Sequence, residues 1–183
     1  MRLPNEILKS VVFLGKKRGE EIRYGGTGFL VYLEQKIEDG RTFHFYYLVT
    51  AKHVSDQLSG DVFYIRVNQR DGSAKDVPLN WEQGNEVIWH EHPTDAHADV
   101  AVTVIEPQRG QDILFVDAQI DVISDEKREQ LGIGTGDEVF MVGLFSYVKG
   151  KSRSTPIVRV GNIAMFPNER VKVKTPTHQE LEV

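Results

Sequence analysis

The chain has 183 residues, 40% of them hydrophobic and 27% charged, which is the composition of one globular domain or two small ones. It contains no cysteine, and this excludes a disulfide framework, a thiolate metal site and a cysteine nucleophile. A net charge of −5 without a basic stripe leaves no electrostatic footprint for nucleic acid, and no run approaches the ~18 apolar residues that cross a bilayer. The first residues, Met1-Arg2-Leu3-Pro4-Asn5-Glu6, do not form a charged region followed by a long apolar run, so a cytoplasmic protein without membrane contact is expected.

Residues 7–14, rich in Val, Ile and Phe, predict a first strand, and 15–21 predict its turn. There Lys16-Lys17-Arg18 is answered at once by Glu20-Glu21, as in a solvated hairpin tip. A second strand is predicted over 22–34. Gly25, Gly26 and Gly28 would weaken a plain strand, so they mark a bulge, a barrel corner or a close approach of neighbouring backbone. A dinucleotide-binding reading of Gly26-x-Gly28 fails, because the third glycine is missing and no helix follows.

Glu38-Asp39-Gly40 predicts a turn. Residues 42–50 alternate and then become continuously apolar, as a strand buried at its far end does. Residues 51–58 predict a short helical turn carrying His53, ended by Gly60. In 61–68, Val62, Tyr64 and Arg66 alternate with Phe63, Ile65 and Val67, a barrel-strand pattern, and Arg70-Asp71-Gly72-Ser73 predicts a hairpin turn. Residues 77–79 and 86–89 predict short strands, the first at an edge because Pro78 offers no N–H. After a polar loop over 90–98, residues 99–106 predict another strand. About six strands with regular turns and no long helical period predict one closed antiparallel barrel over residues 1–106. Trp81, Trp89 and the Tyr46-Tyr47 pair belong to its core or edge rather than to a ligand cage.

Residues 107–117 predict a linker, within a connecting region spanning 107–132. A short helix is predicted over 124–131, with Ser124 as N-cap and Gly132 just past its end. Gly134-Thr135-Gly136-Asp137 predicts a turn. Strands follow over 138–145 and 157–166, joined by a polar loop over 146–155, and 175–183 begins another extended segment. The fold class is therefore all-β, with a partial second barrel over 133–183. An open half-barrel leaves an unpaired edge and a large apolar face, so either the chain continues, or a partner segment supplies the missing strands, or this half folds differently.

Three pieces, in order, carry a family resemblance: Gly25-Gly26-Thr27-Gly28-Phe29-Leu30-Val31, then Thr50-Ala51-Lys52-His53, then Asp99-Val100-Ala101-Val102. Together they resemble the first half of the trypsin-like (chymotrypsin-fold) serine peptidases, in a bacterial-type, disulfide-free branch. The likeness continues more weakly through 137–143 and Gly161, with Phe145 standing where many bacterial members have proline. The resemblance implies a double β-barrel, its first six-stranded barrel complete and its second incomplete. It implies a peptide or protein substrate, no cofactor and no metal.

It also implies that His53 is the general base of a Ser-His-Asp triad and Asp99 the carboxylate that orients it. Asp95, four residues earlier, competes with Asp99 but lacks an apolar strand immediately after it. The family's Gly-Asn-Ser-Gly-Gly-like nucleophile turn does not occur in these residues. Ser10, Ser73, Ser124, Ser146, Ser152 and Ser154 fall in turns, caps or polar loops, and Ser55 and Ser59 are too close in sequence to face His53. The expected function is a trypsin-like endopeptidase domain represented without its nucleophile. The alternative is a non-catalytic peptidase-like binding module or a truncated gene product. A zinc site built from His90, His92, His97 and Asp99 is disfavoured, because His90 and His92 alternate along an extended segment and Pro93 breaks any helix that would gather them.

Overall fold

The computed structural model describes residues 2–58, 62–79, 89–144, 150, 152–166, 172–174 and 180–182. A 3-10 turn over Asn5–Ser10 leads into β1 (Val11–Arg18). The first strand thus begins four residues later than residues 7–14 predict. The Ser10 hydroxyl donates to the Ile7 carbonyl at 2.7 Å and the Ile7 N–H to the Pro4 carbonyl, which closes the preceding residues into a turn despite their apolar content. The basic run is strand rather than loop. Lys16, Lys17 and Arg18 pair with Arg23, Ile22 and Glu21 of β2 (Glu21–Lys36), and only Gly19-Glu20 make the turn. Gly19 takes a left-handed φ of 64°, the conformation a two-residue hairpin turn requires.

The glycines of β2 make the expected bulge, while the close approach to them is chiefly by side chains rather than by backbone. Leu14 pairs with Gly26 while Gly15 pairs with Tyr24, so Gly25 is the extra residue of a β-bulge. Gly26 and Gly28 are sites of close approach: a Cβ on Gly26 would lie 2.3 Å from Val54 Cγ1, and one on Gly28 would lie 2.6 Å from Leu48 Cδ1.

β3 (Thr42–Thr50) returns antiparallel to β2 and runs into α1 (Lys52–Leu58). Then come β4 (Phe63–Asn68), β5 (Ala74–Leu79), β6 (His90–Glu91), β7 (Ala101–Val104) and β8 (Val116–Asp117). The sheet order is β5-β4-β1-β2-β3-β7-β6, with β8 added parallel to β2. Pro78 sits on the end strand β5, the edge its missing N–H demands. The strand expected over 99–106 is shorter at both ends, with Asp99, Val100, Ile105 and Glu106 outside it. The end strands β5 and β6 are not paired with each other among the described residues. The chain between them, 80–88, lies outside those residues, and so do Trp81 and most of the strand expected over 86–89.

Alternate residues of β1 to β4 fill one core: Val12, Leu14, Leu30, Leu48, Phe63, Ile65 and Val67, joined by Leu58 of α1 and by Ile105. Burying each such side chain is worth ~1.5–3 kcal/mol relative to exposure. Trp89, partly buried, stacks on Phe63 at 5.2 Å and packs against the core.

The expected linker is laid along this sheet. Gln111 bridges to Gln69, Asp112 donates its N–H to the Asn68 carbonyl and Leu114 to that of Lys9. β8 then pairs with Val31 and Tyr32. α2 (Asp125–Leu131) has the predicted caps: the Ser124 hydroxyl accepts from the Lys127 N–H, and Gly132 is left-handed at φ 66°. β9 (Glu138–Gly143) and β10 (Ile157–Asn162) form a separate two-stranded sheet. β10 stops short of 166 because Ile163 exchanges hydrogen bonds with Gly136 and Asp137 of the preceding turn. β11 (Lys172–Lys174) and β12 (Glu180–Glu182) form a third, small antiparallel pair.

One partly buried polar pair makes stability depend on pH. The Tyr32 hydroxyl donates to Asp117, which also accepts from the Gln119 and Ile120 N–H groups. These bonds hold the Asp117 carboxyl below the ordinary carboxylate range, the Tyr32 bond first. The same bond, more than burial, pushes the Tyr32 phenol up to about 12. Asp117 therefore contributes stability above about pH 4 and loses it as pH falls further. Tyr32 contributes below about pH 10 and loses it as pH rises towards its folded value. Melting temperature is expected to be level between about pH 5 and 9 and to fall on both sides. Tyr32→Phe is expected to shrink both slopes, and unchanged slopes would count against the pair.

Candidate active site

The site is assembled at the end of β3. The buried Thr50 hydroxyl donates to the Thr27 carbonyl at 2.9 Å and clamps the end of β3 to β2. The chain then turns at once into α1, whose first turn closes through the Val54 and Ser55 N–H groups on the Ala51 carbonyl. Ser55 and Leu58 face inward, and Val54 rests over Gly26. That anchoring leaves His53 on the exposed side of the helix.

Asp99 arrives from the other direction, two residues before β7. The loop ahead of it is a compact turn. His92 Nδ1 accepts from the Asp95 N–H at 2.9 Å, and Asp95 accepts from the N–H groups of His97 and Ala98. Asp95, the competing carboxylate, is thus engaged in shaping the loop.

His53 and Asp99 meet through two hydrogen bonds. The His53 N–H donates to Asp99 Oδ1 at 2.9 Å, and His53 Nδ1 lies 2.7 Å from Oδ2. An ionised carboxylate only accepts, so the neutral imidazole must carry its proton on Nδ1. That leaves the Nε2 lone pair free to take a proton, as a general base requires. The His53 N–H, then the ring, hold the Asp99 carboxyl below its ordinary range against the opposing effect of burial. Both side chains remain open to solvent, His53 at 64% and Asp99 at 55%.

Beside Asp99 runs a cleft of about 610 Å³ between β1–β3 and the β9–β10 hairpin. Thr27, Phe29, Val100, Met141 and Leu144 form much of its wall. The Thr27 hydroxyl donates to the Leu144 carbonyl at 3.1 Å and holds the hairpin to β2. A second clamp lies further along: the Asn68 side chain bonds both the N–H and the carbonyl of Ser154, while Arg153 reaches Asp112 at 2.7 Å. Apolar side chains stand open along the hairpin, Met141 at 59%. Thr27 and Thr50 stand in the motifs, but their clamping roles were not legible, because a threonine inside a strand carries no signal of its partner.

No serine hydroxyl bonds His53 among the described residues. Ser10 donates to Ile7, Ser55 to the Lys52 carbonyl and Ser73 to Asp71, while Ser124 caps α2 and Ser154 is buried at the Asn68 clamp. Ser59 and Ser146 lie outside those residues. No group of three or more His, Asp or Glu side chains able to hold a metal is present among the described residues. None of the described helices is long and apolar enough to cross a membrane. Neither protein-family models nor curated proteins match the chain.

Proposed function

We infer that this chain supplies the general base and its orienting carboxylate to a trypsin-like serine endopeptidase, with His53 and Asp99 in those roles. The observation that carries the reading is the double hydrogen bond between them, which fixes both the ring orientation and the tautomer that frees Nε2. Its support from sequence is the ordered set of three motifs: the glycine strand, the Thr-Ala-x-His turn and the Asp-led strand. The proposed architecture is the double barrel of that family, with the eight-stranded sheet as the wall of the first barrel and β9–β10 opening the second. The nucleophile and oxyanion hole then belong to a partner segment that packs on the hairpin and covers the cleft. A peptide substrate would lie across His53, and hydrolysis needs neither metal nor cofactor.

A second reading has its own observation. The pair is half open to solvent, and no serine is bonded to it among the described residues. This favours a peptidase-like module that binds and does not cleave. A fluorophosphonate probe, applied to the protein in its native assembly, separates the two. The catalytic reading expects covalent labelling that disappears in His53→Ala. Labelling that survives that substitution would overturn it, and a well-dispersed protein that is never labelled would favour the binding module.

A further inference from the structure

The geometry points to Lys52 as a positioning residue for the His53–Asp99 pair, acting through Glu91. The inference rests on the reading of that pair given above. Lys52 opens α1, immediately before His53. Its Nζ lies 2.5 Å from Glu91 Oε1 and 3.5 Å from Asp56 Oδ1, one helical turn further on. Glu91 stands on β6 opposite Ala101 of β7, and Asp99 precedes Ala101 by two residues. The Lys52–Glu91 ion pair therefore joins the helix that carries His53 to the ribbon that carries Asp99.

The other anchors of α1 act elsewhere. Val54 rests on Gly26 of β2, and Leu58 enters the core. These set the height of the helix over the sheet. The lysine bond sets the N-terminal turn laterally, towards the β6–β7 ribbon. The charges suit a lateral tether, since Lys52 is held between two carboxylates and its ammonium is stabilised first by the bond to Glu91. A neutral side chain at 52 would leave the 2.7 Å contact between His53 and Asp99 to the vertical anchors of the helix and the single His53 N–H bond to Asp99.

Nitrogen-15 NMR of the imidazole tests this without any catalytic assay. At a pH where the ring is neutral, the two nitrogen shifts report the ratio of Nδ1–H to Nε2–H tautomers. The wild-type ring is expected to be mainly Nδ1–H; a wild-type ring mainly Nε2–H would overturn the underlying pair, and with it any positioning of that pair by Lys52. Lys52→Met and Glu91→Gln are each expected to lower the ratio by about two- to fivefold, the size an accessible ion pair supports. Lys52→Arg keeps the ion pair and is expected to hold the wild-type ratio. Melting temperatures of the same samples separate general loosening from the local effect. An unchanged tautomer ratio in either neutral variant overturns the proposal.

Discussion

A Gly26→Val protein is expected to melt about 2–12 °C below wild type and to lose the contact between His53 and Asp99. The cause is distance. Even a Cβ at residue 26 would lie 2.3 Å from one Val54 methyl and 3.3 Å from the other. Valine at 54 is stiff about χ1 and cannot swing clear, so the whole of α1 has to rise. Overpacking of this kind costs ~1–3 kcal/mol, and each kcal/mol shifts melting by ~2–4 °C in a chain of this size. His53 adjoins Val54, so the rise is passed directly to the imidazole. The neighbouring Gly25 is the control: a Cβ there meets nothing within 4 Å, and Gly25→Ala is expected to melt at or slightly above the wild-type temperature. Equal melting of the Gly26 and Gly25 variants, by calorimetry, would show that β2 and α1 are not in contact at this point.

Asp99→Asn is expected to leave the fold nearly intact and, if the chain serves the proposed peptidase, to remove most of its activity. Asp99 is half exposed, so the ionic part of its bond to His53 is screened and its share of stability is small. An asparagine can still face the ring, but its amide can donate to Nδ1, which moves the imidazole proton to Nε2. The base then has no lone pair where the nucleophile must be. In a working triad this wrong tautomer costs about 10⁴-fold in kcat. The rate of fluorophosphonate labelling in the native assembly is expected to fall by that order, with the melting temperature almost unchanged. A labelling rate within a few-fold of wild type would mean that Asp99 does not orient the base.

Both predictions concern residues that could be picked out in the sequence, yet the reasons for the effects came from the fold. The elements that local chemistry specifies were legible. Strand 42–50 is set by its alternating and then apolar pattern, and β3 has those bounds. Ser124 and Gly132 cap α2 as helix chemistry requires, and Pro78 lies on an end strand because it cannot donate to a ladder. Misplaced boundaries have local rivals. The apolar run at residue 7 is drawn into a turn by the Ser10 hydroxyl, and the basic run at 16–18 stays in the ladder because the Gly19-Glu20 turn needs only two residues.

Motif order alone paired His53 with Asp99, and their separation in the chain says nothing of a 2.7 Å contact. The docking of residues 107–117 was invisible for the same reason, since the Gly110 carbonyl accepts from the Arg70 N–H, and Asp112 and Leu114 donate to the carbonyls of Asn68 and Lys9, all 40 or more residues away.

The amino-acid sequence by itself determined an all-β chain, many of its turns and caps, and the glycines of β2, and its motifs singled out His53 and Asp99, the proposed base and orienter. Periodicity, missing N–H groups and side-chain chemistry act over a few residues, so they are written locally. The tertiary structure alone decided which strands neighbour one another, that Gly26 lies beneath Val54, that Lys52 reaches Glu91, and that an apolar cleft opens beside Asp99. Those relations depend on how distant segments satisfy one shared core and one hydrogen-bonded sheet, and no short stretch of sequence carries that information.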